Sequence, residues 1–171
     1  MDRVMVAIEE SDASGYALDW ALHNLGESLA KAHLVIYTVQ PHSDYDYVHG
    51  SSVAPPDLIR NLLETQKKVA LALLDRAEAV GSAAGVVVET LTEVGEPKRT
   101  ICDAVDRLNI QLLVFGSHGR GPLERTFLGS VSNYCVNNAK CPVLVVRKSS
   151  WNLHNSKLHH QSGEESEESL L

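Results

Sequence analysis

The chain has 171 residues, 44% of them hydrophobic, and a net charge of −7, which suits one globular domain with a core and a tail. That composition excludes global disorder, and no apolar run approaches the ~20 residues needed to span a bilayer. The tail from Ser149 onward carries −3 of the charge, which leaves a mildly acidic body without a basic stripe and argues against nucleic acid as a partner.

The start, MDRVMVAI, runs directly into strand-like sequence with neither a signal-peptide nor a transit layout. The expectation is an intracellular, cytoplasmic protein, with the nucleus also open. In chain order, VMVAI (Val4–Ile8) predicts a buried strand. A helix follows over Ser14–Leu29, with Leu18, Ala21, Leu22, Leu25 and Leu29 at helical spacing and Tyr16 and Trp20 read as packing residues. HLVIYTV (His33–Val39) is β-branched and aromatic, a second strand. Residues 40–55 are polar and aperiodic, a loop long enough to be functional or disordered. Leu58, Ile59, Leu62, Leu63, Val69, Ala70, Leu73, Leu74 and Ala77 mark a long amphipathic helix, with Gly81 and Gly85 near its end. Val86–Thr92 is the third strand, and Pro97 opens a helix with Ile101, Ala104, Val105 and Leu108 on one face. Leu112–Ser117 is the fourth strand, Ser130–Ala139 a short helix and Pro142–Lys148 the fifth strand. Residues 149–171 hold too few apolar side chains to offset their ordering entropy and read as a disordered acidic tail.

Near-continuous apolar strands alternating with helices imply an α/β fold over residues 1–148: a doubly wound, five-stranded parallel sheet with helices on both faces. Strands 1 and 4 are the expected neighbours where the strand order reverses, and ligands bind outside the carboxyl ends of the strands at that point. Two segments leave the sheet there: Glu9–Ser11 after strand 1 and GSHGRGPLERTFLGS (Gly116–Ser130) after strand 4. In the second, Gly116, Gly119, Gly121 and Gly129 tolerate φ > 0 and a close ligand, and their N–H groups can form an anion nest. Ser130 stands where the N-cap of the next helix belongs, with Ser132 in its first turn, and such a helix start attracts phosphate. Arg120, between two glycines, and Arg125 offer positive charge. His118 is either a phosphate donor or a plain loop histidine, and Glu9 either a ligand contact or a solvated carboxylate. Neither G-x-x-x-x-G-K-[ST] nor G-x-G-x-x-G is present. Cys102, Cys135 and Cys141 form no C-x-x-C pair and read as small apolar packing residues, the last two flanking the final helix.

Gly116-x-x-Gly119, nine residues, then Gly129-Ser130 matches the pattern G-2x-G-9x-G-(S/T), and here the chain resembles the universal stress protein family. VAIEES, GSHGRG and CPVLVVRK look like that family too, YALDWALHNL resembles its plant members, and the resemblance covers residues 3–148. It implies a Rossmann-like fold of the adenine nucleotide alpha hydrolase-like type and a bound ATP or AMP, with or without Mg2+. It also implies that Gly116, Gly119, Gly129 and Ser130 hold phosphates, with Val131 and Ser132 in support and His118, Arg120 and Gly121 in the same loop. Val39 would sit against adenine through its backbone, and Ala7 and Glu9 would lie near the nucleotide. The family usually has Asp where Glu9 stands, and its ATP-binding members can have Pro where Ala7 stands. Its members pair through the last strand, which implies a homodimer through Val143–Val146 and protects an exposed edge.

No catalytic base or full metal site is legible, so the expectation is a nucleotide-dependent switch or sensor in stress response, at most a slow ATPase. The rival reading is a dimeric scaffold that binds no nucleotide. A phosphoacceptor receiver is rejected, because it needs Asp after the third strand and this chain has Thr92-Glu93. Ser162, Ser166 and Ser169 lie among glutamates, where phosphorylation would add further negative charge to a solubilising tail.

Overall fold

The computed structural model describes residues 2–41, 55–117 and 128–147. Most of the loop after the second strand, the tail, and His118, Gly119, Arg120, Gly121 and Arg125 of the glycine-rich loop lie outside the described residues. Five strands form one parallel sheet: β1 (Arg3–Ala7), β2 (His33–Pro41), β3 (Val88–Gly95), β4 (Leu112–Gly116) and β5 (Val143–Val146). Their order is β3-β2-β1-β4-β5, so the order reverses between β1 and β4, as the sequence implies. β1 pairs with β2 from Arg3↔His33 to Ala7↔Tyr37 and with β4 from Val4↔Leu112 to Ala7↔Phe115.

Helices cover both faces. Val4 and Val6 point to α1 (Asp12–Asn24), α2 (Gly26–Leu29) and α3 (Pro56–Ala83), where Ala17, Leu18, Leu29 and Leu74 close one core. Met5 and Ala7 point the other way, to α4 (Pro97–Arg107) and α5 (Ser130–Asn138), where Ile101, Ala104, Val105 and Cys135 close the second. Burial on both sides explains why β1 reads as an unbroken apolar run. No helix among the described residues is long and apolar enough to cross a membrane.

Several boundaries differ from the sequence reading for local reasons. The helix expected over Ser14–Leu29 is two helices. α1 starts earlier because Ser11 caps it, its hydroxyl accepting from the Ser14 N–H at 3.2 Å. It stops at Asn24, next to Gly26, which disfavours helix interiors, and the chain resumes in the single turn of α2. β3 starts at Val88 rather than Val86, because the Val86 N–H closes the turn onto the Gly81 carbonyl and Val87 is 71% exposed. β2 and β3 then continue as a pair to Pro41↔Gly95. β5 omits Pro142, which has no N–H for the ladder, although its carbonyl accepts from Leu113. Cys135 sits inside α5 rather than at its flank.

The 28 residues of α3 span ~42 Å, far more than the ~16 Å of a five-residue strand such as β1. The buried residues described in this helix, Ala70, Leu74, Ala77 and Gly81, all lie in its second half, so its first half overhangs the carboxyl end of the sheet.

Buried and exposed positions of these strand segments separate experimentally. Leu34→Ala, at a fully buried β2 position, lowers unfolding free energy by about 2–5 kcal/mol in urea. Val87→Ser, at a position that strand patterning alone would bury, changes it by no more than about 0.5 kcal/mol.

Candidate functional site

A crevice of about 750 Å³ opens where the carboxyl ends of β1, β2 and β4 meet. Ala7, Val39, Phe115 and Gly116 form its floor. Thr65, Gln66, Val69 and Leu73 of α3 make one wall, and Pro97 and Ile101 of α4 with Gly129–Ser132 at the start of α5 make the other.

The opening follows from strand lengths. β1 ends at Ala7, and the last rung beyond it is the Ile8 N–H donating to the Tyr37 carbonyl at 2.8 Å. β2 runs on to Pro41 paired only with β3. Along a strand the backbone groups of alternate residues point the same way, so those of Val39 point as those of Tyr37 do, past the end of β1 into the crevice. The sequence-expected placement of Val39 by its backbone therefore has a geometric basis. Beside it, Gln40 is held by its Nε2 donating to Thr92 Oγ1 at 3.1 Å.

The turn after β1 is equally fixed. The Glu9 N–H donates to Ser14 Oγ at 2.9 Å, and the Ser11 N–H donates to the Glu9 carbonyl at 2.9 Å. The Glu9 side chain is exposed at the crevice mouth. Neighbouring Glu10 meets Arg76 at 3.8 Å, an exposed pair that contributes little.

Gly116 is required by packing rather than by a left-handed backbone. A Cβ there would stand 2.4 Å from the Ala13 carbonyl oxygen and 2.6 Å from its carbon, so its missing side chain lets the start of α1 press against β4. Gly129 also has ordinary dihedrals, φ −57° and ψ 153°, and the φ > 0 expected of these two glycines is found instead at Gly85, the one such glycine among the described residues.

Gly129, not Ser130, is the N-cap of α5. Its N–H donates to the Ser117 carbonyl at 3.0 Å, and its carbonyl accepts from Ser132 Oγ at 3.0 Å. Ser130 is thereby moved to the first helical position, exposed, with Val131 half-buried and Ser132 buried behind it. A glycine cap supplies no side-chain acceptor, so no side chain caps the first turn of α5. α1 and α4 differ: Ser11 caps the former, and Glu96 accepts from the Arg99 N–H in the latter.

The fold thus gathers Ala7, Glu9, Val39, Gly116, Gly129, Ser130, Val131 and Ser132 around one crevice, and the other four expected residues lie outside the described positions. Sequence reasoning missed the α3 wall. A signal was present: Thr65 and Gln66 interrupt an apolar stripe that continues through Leu62, Val69 and Leu73. It also missed Tyr37, whose buried hydroxyl has no hydrogen-bond partner among the described residues. Burial first, and then the charge of Glu93, push this phenol far up, so it remains neutral, while Glu93 itself pairs with Arg107. The described lining residues include no lysine or arginine.

Residues 1–147 match the universal stress protein family. The chain is 32% identical over 146 residues to universal stress protein YxiE of Bacillus subtilis (strain 168), covering 85% of this chain and 99% of the relative. Its fold is similar to that of universal stress protein UspA from Lactobacillus plantarum, with a TM-score of 0.69 and 26% identity over 85% of this chain and 97% of that one. It is also similar to an Arabidopsis thaliana universal stress protein family protein solved with AMP bound, with a TM-score of 0.64 and 25% identity over 89% of this chain and 95% of that one.

Replacing Gly116 by alanine drives a methyl group into the Ala13 backbone. Gly116→Ala lowers unfolding free energy by about 1–3 kcal/mol, read by urea denaturation, and a parent-like value would contradict this contact.

Proposed function

Because the chain belongs to the universal stress protein family, we propose that its crevice binds an adenine nucleotide, ATP or AMP, and that occupancy acts as a switch or sensor signal. The observation that carries the reading is the start of α5. It is the helix that opens into the crevice with a glycine cap and no side chain on its first-turn N–H groups, where a phosphate is favoured by both hydrogen bonding and the helix dipole. AMP bound in the similar Arabidopsis protein supports the same ligand class.

In this reading the ligand lies across the floor. The phosphates meet Gly129, Ser130 and Val131, with Ser132 holding the cap, and His118, Gly119, Arg120 and Gly121, outside the described residues, are proposed as further contacts. The base meets the outward backbone of Val39 between apolar surfaces from α3 and from Ala7. Gly116 acts indirectly, by seating α1 and Glu9 at the mouth. Mg2+ is the natural counter-ion for ATP, since Glu9 and Glu10 bring negative charge to that mouth. The half-buried Val143–Val146 strand at the edge of the sheet is the surface proposed to pair in a homodimer. The protein is proposed to work in the cytoplasm.

Small molecules released by denaturing the freshly purified protein contain an adenine nucleotide, detected by mass spectrometry. In calorimetry with Mg-ATP, Gly129→Leu weakens binding at least about tenfold, because its side chain occupies the phosphate approach, an effect near 1.4 kcal/mol. Parent-like affinity in that variant rejects the site, and a purified protein that neither carries nucleotide nor takes up Mg-ATP favours the dimeric scaffold.

A further inference from the structure

Three thiols that the crevice does not use gather behind it. Cys102 on α4 and Cys135 on α5 bring their Sγ atoms to 3.7 Å, and the Cys135 thiol also faces the Lys98 carbonyl at 3.9 Å. Cys141, just before β5, belongs to the same apolar cluster, and all three are free. Cys135 is fully buried, whereas Cys102 is partly exposed. Packing alone accounts for a buried cysteine, but it does not require two sulfurs on different helices to face each other, one within reach of solvent. A disulfide needs ~2.05 Å between sulfurs, so the two side chains and the helices that carry them have to close the remaining gap for the bond to form.

We propose that Cys102 and Cys135 are a redox modification site, forming a reversible disulfide that joins α4 to α5 when the protein meets a hydroperoxide. Cys102, the reachable partner, attacks as its thiolate. An S–O bond forms, the O–O bond breaks, and with hydrogen peroxide the departing hydroxide takes a proton and leaves as water. Cys135 Sγ then attacks Cys102 Sγ. The S–S bond forms as the S–O bond breaks, and the second hydroxyl leaves as water with the Cys135 proton. Two thiols are oxidised and one peroxide is reduced to two waters, and an external dithiol reverses the bridge. Pro97 and Ile101 on α4, and Ser132 one turn before Cys135 on α5, line the crevice, so the bridge fixes the separation of two parts of its wall. Burial raises all three thiols; at Cys102 the hydrogen bond with Cys135 works against that rise and the Asp103 carboxylate adds to it, and at Cys135 the facing Cys102 and then Glu96 add to it. The step is therefore slow at neutral pH and accelerates as pH rises.

The test uses the full reduced chain, exposed to hydrogen peroxide, blocked with N-ethylmaleimide and mapped without reduction. Trypsin places the three cysteines on separate peptides, TICDAVDR, TFLGSVSNYCVNNAK and CPVLVVR. The expected product is monomeric on a non-reducing gel and links the first two peptides. It disappears with dithiothreitol and forms faster at higher pH. Cys102→Ser abolishes it and Cys141→Ser leaves it intact. In Cys135→Ser, Cys102 instead accumulates as a sulfenic acid that dimedone traps. Linkage to CPVLVVR, linkage between chains, or maleimide on all three peptides after peroxide overturns the proposal. Since Cys135 is buried, the partly exposed Cys102 variant decides the matter if Cys135→Ser fails to fold. The mapping reads only the sulfur pair, so its outcome is separate from that of nucleotide binding.

Discussion

The pairing of β1 with β4 is the contact on which everything else in this protein depends. The chain builds β1, β2 and β3 outward in one direction, then crosses back to lay β4 on the other side of β1. Helices that follow the two halves must leave the sheet on opposite faces, so a gap opens between them at the carboxyl edge. The shortness of β1 deepens it. With β1 finished at Ala7 and β2 continuing to Pro41, two residues of backbone beyond the last shared rung face an empty position in the sheet. The crevice is therefore made by a missing stretch of strand, and the overhanging half of α3 walls it.

Close approach then sets what the gap contains. The absent side chain at Gly116 lets the first turn of α1 settle on β4, and that turn fixes Glu9 through the hydroxyls of Ser11 and Ser14. Two helices that begin near this edge satisfy their own first turns, α1 with Ser11 and α4 with Glu96. α5 does not, because its cap is glycine and the serine that follows is already helical. A side-chain cap is worth about 1 kcal/mol to a helix, so its absence at α5 is a local cost. An anion bound there, as proposed, would offset that cost and tie the ligand to the stability of α5.

Much of this was legible in the sequence because burial on two faces leaves a plain record. The apolar runs of β1, β2 and β4 and the 3.6-residue stripes of α3 and α4 located the elements, and the reversal at β1 and β4 was the arrangement favoured among the few that right-handed crossovers leave. What was not legible depended on single contacts. The break at Leu25 hinges on one glycine inside an otherwise regular stripe. The shift of the α5 cap by one residue turns on whether a serine or a glycine takes the extended conformation, a choice made by the Gly129–Ser117 hydrogen bond between residues distant in sequence. Gly116 was read as a phosphate-holding loop glycine, whereas the contact the structure shows for it is with the Ala13 backbone, and no local pattern encodes that neighbour. The α3 wall was hidden by its own regularity, since Thr65 and Gln66 look like ordinary polar positions until the helix is known to overhang the sheet.

The charge of the crevice narrows how an anion can be held. Its described lining carries Glu9 and Glu10 and no basic side chain, so none of the described residues offers the proposed nucleotide tail a direct ion pair. What remains is the N-terminal dipole of α5, equivalent to roughly half a positive charge, and any metal ion the ligand carries with it. Phosphate held at the described part of the site, as proposed, would depend on hydrogen-bond geometry, and so on where α5 stands. The position of α5 is set on its far side by Cys135 against Cys102 on α4, with Ser132 between that contact and the cap. The sulfur pair thus lies about one turn along the same short helix from the turn proposed to face phosphate, so a shift at the first is felt at the second.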